Sequence, residues 1–356
     1  GGDQLRGTGR QRSFRSPRLI PECDQTPIGT HCAMAAAAPC QAAGEVVQSD
    51  CTRRLRLREA SCSWKLVGMK RTYIALLVAG LGLWSLIFVH GEAMVLTWLS
   101  RAVAPRTLAD LSTQIGPAIH VVVPEGRGKG PFPVLILMPG CGGVRPDHDA
   151  NWAALAAGMG FVAVVVDSNG PRGYTWQTAQ STICEGNALL GQERAGDILV
   201  GLRKSQETGM ADYDAVFLVG WSHGAWTVMD FMTMGPDQLP AGLSTYDEPW
   251  PTVRGVVLYY PYCGPGALSR VRSWNAKPPV LALMGAKDET VDTAACVEIL
   301  EQMKAGGLSA EIVIYPEANH SFDYAGRNPA KPWLRPDDAA DAKTRVTNFL
   351  TLQAAR

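Results

Sequence analysis

Ser222 stands between Gly220 and Gly224, directly after the apolar run 215–219 (AVFLV). A buried strand turning sharply into a helix brings two arms of backbone together around the turning residue, and a Cβ two places before or after it would collide. Glycine at both places relieves the collision and leaves the serine Oγ projecting from the end of the strand in a strained backbone conformation. The residues that follow, 223–234 (HGAWTVMDFMTM), have helix-compatible apolar spacing up to Gly235. A chain with this strand–turn–helix unit is constrained to a parallel, layered α/β architecture.

The rest of the C-terminal region supplies the partners such a unit needs. Strands are expected over 120–126, 133–140, 161–170, 255–263, 279–289 and 310–320, and helices over 151–160, 188–206, 294–304 and 338–352. Their alternation predicts a mostly parallel sheet with helices on both faces, the α/β-hydrolase fold, with functional loops at the carboxyl ends of the strands. The connection 261–279 is too short for a large cap domain, so an open cleft is expected. At 356 residues, 46% of them hydrophobic, the chain can bury one large core.

The N-terminal part is a different kind of chain. The 33 Lys/Arg and 33 Asp/Glu balance overall and make no case for a nucleic-acid partner, yet 12 of the basic residues against 6 acidic ones fall in residues 1–71. Residues 1–68 show no sustained periodicity and are expected to be a disordered or non-native extension. Their Cys23, Cys32, Cys40, Cys51 and Cys62 lack the short spacing of a zinc site. Met69, the basic pair Lys70 and Arg71, an apolar run over 73–89 and the small residues Gly91 and Ala93 have the form of a secretory signal starting at Met69, or of an uncleaved N-terminal membrane anchor through 73–89. Either form predicts an exported catalytic domain, periplasmic or secreted, over 115–356, joined by a linker over 94–114.

A serine nucleophile requires a base and a carboxylate that orients the base. Asp288 follows the strand at 279–285 and His320 follows the strand at 310–315, so Ser222, Asp288 and His320 stand in the chain order expected of an α/β-hydrolase. Glu289 and Asp292 are the alternative acids; His120 and His148 lie too early in the chain for the base. The backbone N–H of His223 and that of Cys141, in the glycine-rich loop 138–143 (MPGCGG), are the expected oxyanion donors. Trp221 and Arg172 are expected to contact substrate: Arg172 through a substrate carboxylate, or else as a loop residue bonded to backbone carbonyls. In strand order, Cys141 faces Cys184 and Cys263 faces Cys296, which predicts those two disulfides in an exported domain.

The stretches MPGCGG, DSNGPRG, GWSHG, GAKDETVD and EANHSFD resemble, in order and approximate spacing, the dienelactone hydrolase family, over about residues 115–352. The resemblance implies a small-molecule substrate with an ester or lactone bond, a triad of Ser222, Asp288 and His320, and no cofactor or metal. One departure is the serine itself, since the name-giving enzymes carry cysteine there; the dienelactone substrate therefore does not carry over with the fold. A peptidase of the prolyl oligopeptidase type and a catalytically silent binding protein on the same fold are the alternatives.

Overall fold

The computed structural model describes residues 102–326 and 333–356, with helical positions at 73–76, 78–80, 91 and 95. The expectations for 1–68, including Cys23, Cys32, Cys40, Cys51 and Cys62, lie outside the described residues, as does most of 69–93. Among the described residues no helix is long and apolar enough to cross a membrane. The chain divides at Leu76/Leu77, and the fold below is that of the second unit.

In chain order the elements are α1 (Leu108–Ile115), β1 (His120–Val122), β2 (Phe132–Met138), α2 (Pro146–Met159), β3 (Val162–Val165), α3 (Trp176–Ser181), α4 (Gly191–Gln206), β4 (Ala211–Trp221), α5 (His223–Met232), β5 (Val253–Tyr259), β6 (Val280–Gly285), α6 (Thr293–Ala305), β7 (Ala310–Tyr315) and α7 (Pro336–Ala354). The strands form one sheet in the order β1-β3-β2-β4-β5-β6-β7. β1 runs antiparallel to β3 and every other pairing is parallel.

Alternate residues of the central strands feed two cores. Val134, Ile136, Leu218 and Val256 pack with α1, α4, α5 and α6 on one face; Leu135, Leu137, Phe217 and Val257 pack with α2 and α7 on the other. Burial on both faces is why these strands read as unbroken apolar runs, without the alternation of a half-solvated sheet. On α7 the buried positions Ala342, Val346 and Leu350 recur every fourth residue, one stripe of a helix. The α2 helix ends on Gly160 in the left-handed conformation, φ 100°, with its N–H returned to Ala156 and Ala157 carbonyls.

One expectation is corrected. The stretch 94–114, expected as a linker, ends in α1, which is part of the domain: Leu108, Leu111 and Ile115 are buried, and Thr107 and Asp110 close a reciprocal capping box at its start. Among the described residues the cleft carries a short flap and no large cap domain. Residues between Tyr174 and Leu190 fold over the glycine-rich loop after β2, with α3 and a small apolar cluster of Ala179, Ile183 and Leu189. The Cys141–Cys184 disulfide holds this flap to that loop, and Cys263–Cys296 joins the end of β5 to α6. Both pairings are those expected from strand order.

Candidate active site

The centre of the site is the junction of β4 and α5. Ser222 has φ 54° and ψ −117°, a conformation that disfavours any side chain, and its N–H still completes the sheet ladder on the Tyr259 carbonyl at 2.9 Å. A Cβ at Gly220 would lie 2.5 Å from the Gly224 and Ala225 backbone, and one at Gly224 would run into the Met138 carbonyl. Both glycines are therefore obligatory, for the reason read from the sequence.

Two loops bring their side chains to that serine. His320 Nε2 lies 2.9 Å from Ser222 Oγ, and His320 Nδ1 lies 2.8 Å from Asp288 Oδ2. The other Asp288 oxygen accepts from the Thr290 and Val291 N–H groups at 2.8 and 2.9 Å, which fixes the carboxylate by its own loop. Glu289 is exposed and Asp292 caps α6 through the Ala295 N–H, so neither alternative acid meets the histidine. Asn319 adds a tie that sequence reasoning missed: its Oδ1 accepts both the His320 N–H at 2.6 Å and the Glu289 N–H at 3.0 Å, clamping the two loops together.

On the other side of the serine, Gly140 packs close enough that a Cβ there would sit 3.7 Å from Ser222 Cβ. Neither the Cys141 nor the His223 backbone N–H has an acceptor among the described residues. His223 is the first residue of α5, so its N–H is one of the free donors at the positive end of a helix. Its ring is buried and accepts, at Nδ1, from Arg194 Nη1 at 3.1 Å; arginine has no acceptor to offer, so the imidazole is neutral with its proton on Nε2. Burial, reinforced by the Arg194 cation, holds its pKa well below the ordinary range.

Arg172 is not where a substrate-binding residue belongs. Its guanidinium forks onto Asp197, at 2.8 Å to each oxygen, and donates to the Ser168 carbonyl at 2.7 Å, so the loop role is the one found. The residue of that motif that supports the glycine-rich loop is Asn169, whose Nδ2 donates to the Cys141 carbonyl at 2.8 Å and which packs against Gly143. Trp221 lines the cavity, but its indole is 1% exposed, stacks on Tyr259 and donates to Asp323, making it mainly a wall.

Asp323 is the hub behind that wall. It accepts from Trp221 Nε1 at 2.9 Å and Tyr260 OH at 2.7 Å, and lies 3.1 Å from His148 Nε2, whose other ring nitrogen is 2.7 Å from Asp149. Burial alone would raise its pKa, but His148, Arg145 and Tyr260 outweigh burial and bring it to about 2. Arg145 completes the cluster, 3.2 Å from Asp149 and stacked over the rings of Trp221 and Tyr324 at 5.3 and 5.1 Å. The group joins residues 145–149, 221, 260 and 323; no spacing in the sequence announces it.

The family model described as the dienelactone hydrolase family matches residues 119–353. The chain belongs to the dienelactone hydrolase family. A dienelactone hydrolase-like promiscuous phosphotriesterase from metagenomic libraries is similar in fold, with a TM-score of 0.52 at 18% identity over 66% of this chain and 92% of that one. Among curated relatives, an acylamino-acid-releasing enzyme of Arabidopsis thaliana is 22% identical over 231 residues, which is 58% of this chain and 30% of that protein. This chain therefore spans less than a third of that relative. A provisionally named carboxymethylenebutenolidase of Methylorubrum extorquens is 23% identical over 271 residues, 73% of this chain and 85% of that protein. The matched residues 119–353 include Ser222, Asp288 and His320.

Proposed function

We propose that the protein cleaves carboxylic ester or lactone bonds through an acyl-serine intermediate on Ser222. The observation that carries this is the unbroken line of hydrogen bonds from Asp288 through His320 to Ser222, at 2.8 and 2.9 Å, on a strained turn. His320 Nε2 takes the Oγ proton as Oγ attacks the carbonyl carbon, and the negative charge that forms on the carbonyl oxygen is held by the Cys141 and His223 N–H groups. Collapse of the tetrahedral species expels the alcohol, which leaves with the proton from His320. Water then attacks the acyl-enzyme, giving its proton to His320, and Ser222 is regenerated with release of the acid. Asp288 holds the imidazole in the tautomer that presents Nε2 to the serine.

Export belongs to the same reading: the basic pair and apolar run at 70–89 support it, as do two disulfides, which persist in oxidising compartments. The similarity to an acylamino-acid-releasing enzyme favours a second reading, an acyl-peptide substrate at the same serine. A fluorophosphonate probe should label the protein at Ser222, and assays with short p-nitrophenyl esters beside an N-acetyl-alanyl p-nitroanilide should show ester turnover dominating. Dominant anilide turnover would move the assignment to peptidase, and no labelling with no turnover would refute both.

A further inference from the structure

Above Ser222 lies a cavity of about 990 Å³, at the upper end of the range for small-molecule sites. Aromatic side chains enter its wall from several elements: Trp176 from the flap, Trp226 from α5, Tyr260 and Tyr262 after β5, and Tyr324 and Trp333 beside the His320 loop. Trp226 and Tyr262 face each other at 4.9 Å, and Tyr260 lies 4.6 Å from the His320 ring. Trp176 lies against the oxyanion loop, 3.0 Å from where a Cβ on Gly142 would be.

The charges in that wall cancel. Among its described residues Arg145 and Glu185 carry formal charge, with opposite signs. Arg145 already has a carboxylate at 3.2 Å and two ring faces around it, while Glu185 is exposed on the flap. Arg172 is spent on Asp197. Among the described residues a substrate carboxylate would have to compete with Asp149 for Arg145 and pass the exposed Glu185, whereas an uncharged ring would find edges and faces of its own kind.

From this we infer that the site takes uncharged esters carrying an aromatic ring on the acyl or alcohol side, and disfavours anionic esters. The inference rests on the acyl-serine reading above. Binding energy from the ring, remote from the reacting carbonyl, is what would be used to hold the ester in line with Ser222 Oγ, so the preference belongs in kcat/KM.

The test uses the whole protein and pairs of esters of matched intrinsic reactivity, followed by pH-stat: methyl 3-phenylpropanoate against methyl butanoate, and 2-phenylethyl acetate against butyl acetate. The ring ester of at least one pair should be favoured by about tenfold or more, and the monoanion of methyl hydrogen succinate should fall below methyl butanoate by a similar factor. In Trp176→Leu and Tyr262→Leu the ring preference should shrink by about threefold or more in at least one variant. A flat profile, an unchanged preference in both variants, or a preference for the anion, which would hand recognition to Arg145, overturns the inference. Fluorophosphonate labelling of the same preparation separates the failures: labelling with a flat profile removes the substrate class alone, and no labelling with no turnover removes the acyl-serine reading with it.

Discussion

The two sides of Ser222 are built by different means. On the histidine side, the loops after β6 and β7 are held by non-covalent contacts: the Asp288 turn, the Asn319 clamp, the Asp288–His320 contact and the Lys287–Glu317 ion pair. On the oxyanion side, the loop after β2 is held by a covalent bridge to the flap, by Asn169, and by a neighbouring loop pinned through the buried Arg172–Asp197 pair. In the proposed reaction one side moves a proton, and its parts need small freedoms that hydrogen bonds allow; the other side only has to keep two N–H groups still while charge develops. The contrast teaches that the first side should be sensitive to substitution of single polar atoms and the second to reductant and to loss of its supports.

The largest effect should come from the serine that the two sides share and from the histidine beside it. Ser222→Ala and His320→Ala are each expected to lower kcat by roughly 10³-fold or more with an unchanged melting temperature. Appreciable turnover in Ser222→Ala would mean that the two sides do not converge on this hydroxyl.

Arg172→Ala leaves Asp197, which is fully buried, without its partner, and should cost about 3 kcal/mol of stability in urea unfolding. It should do so without changing the relative rates on acidic and neutral esters; a selective loss on acidic esters would restore Arg172 to the substrate.

Acid should loosen the wall common to both sides. The folded pKa of Asp323, about 2, lies below its ordinary value of 3.8, so its contribution is fully present above about pH 4 and disappears as the pH falls through about 2. The size is on the order of 2 kcal/mol, and Asp323→Asn should flatten that part of the stability-against-pH curve measured by thermal melts between pH 2 and 5. Parallel curves for the two proteins would deny Asp323 this role.

The covalent side is sharpened by comparing its bridge with the other one. Cys141→Ala with Cys184→Ala should lower kcat by about 30-fold through a loosened oxyanion loop, whereas Cys263→Ala with Cys296→Ala, whose sulfurs are buried in the core, should lower stability more than turnover per folded molecule. Equal kcat losses in the two double variants would erase the distinction between the sides.

Smallest is the clamp. Asn319→Ala should lower kcat by about tenfold with little change in KM, and Asn319→Asp, which keeps an acceptor for both N–H groups, should recover most of it. No recovery with the acceptor restored would show that the clamp is not what holds His320.

Much of this was legible in the sequence because it is local or periodic. The seven strands, the long helices, the elbow glycines and the three residues in line at Ser222 follow from apolar runs, from turn sterics and from the position of polar residues just past strand ends. What escaped is what depends on distant segments meeting. Thr107 and Asp110 cap a helix of only eight residues, α1, inside a stretch that reads as linker. The cluster around Asp323 draws on four separate segments, and each of its members alone reads as an ordinary polar residue. Arg172 shows the same limit from the other direction: its place after β3 was legible, but the direction of its side chain was decided by Asp197, on a helix 25 residues away.

The backbone at Ser222 also bears on how such a chain would age if selection for turnover lapsed. Its φ of 54° is a conformation that glycine adopts without strain and serine does not. Drift from serine to glycine at this one position would relieve the turn and delete the hydroxyl together, so for this chain the mutation that removes the proposed nucleophile is also one that steadies the fold. Inactive descendants carrying glycine at the elbow, with Asp288 and His320 still in place, are the expected fossils of that route.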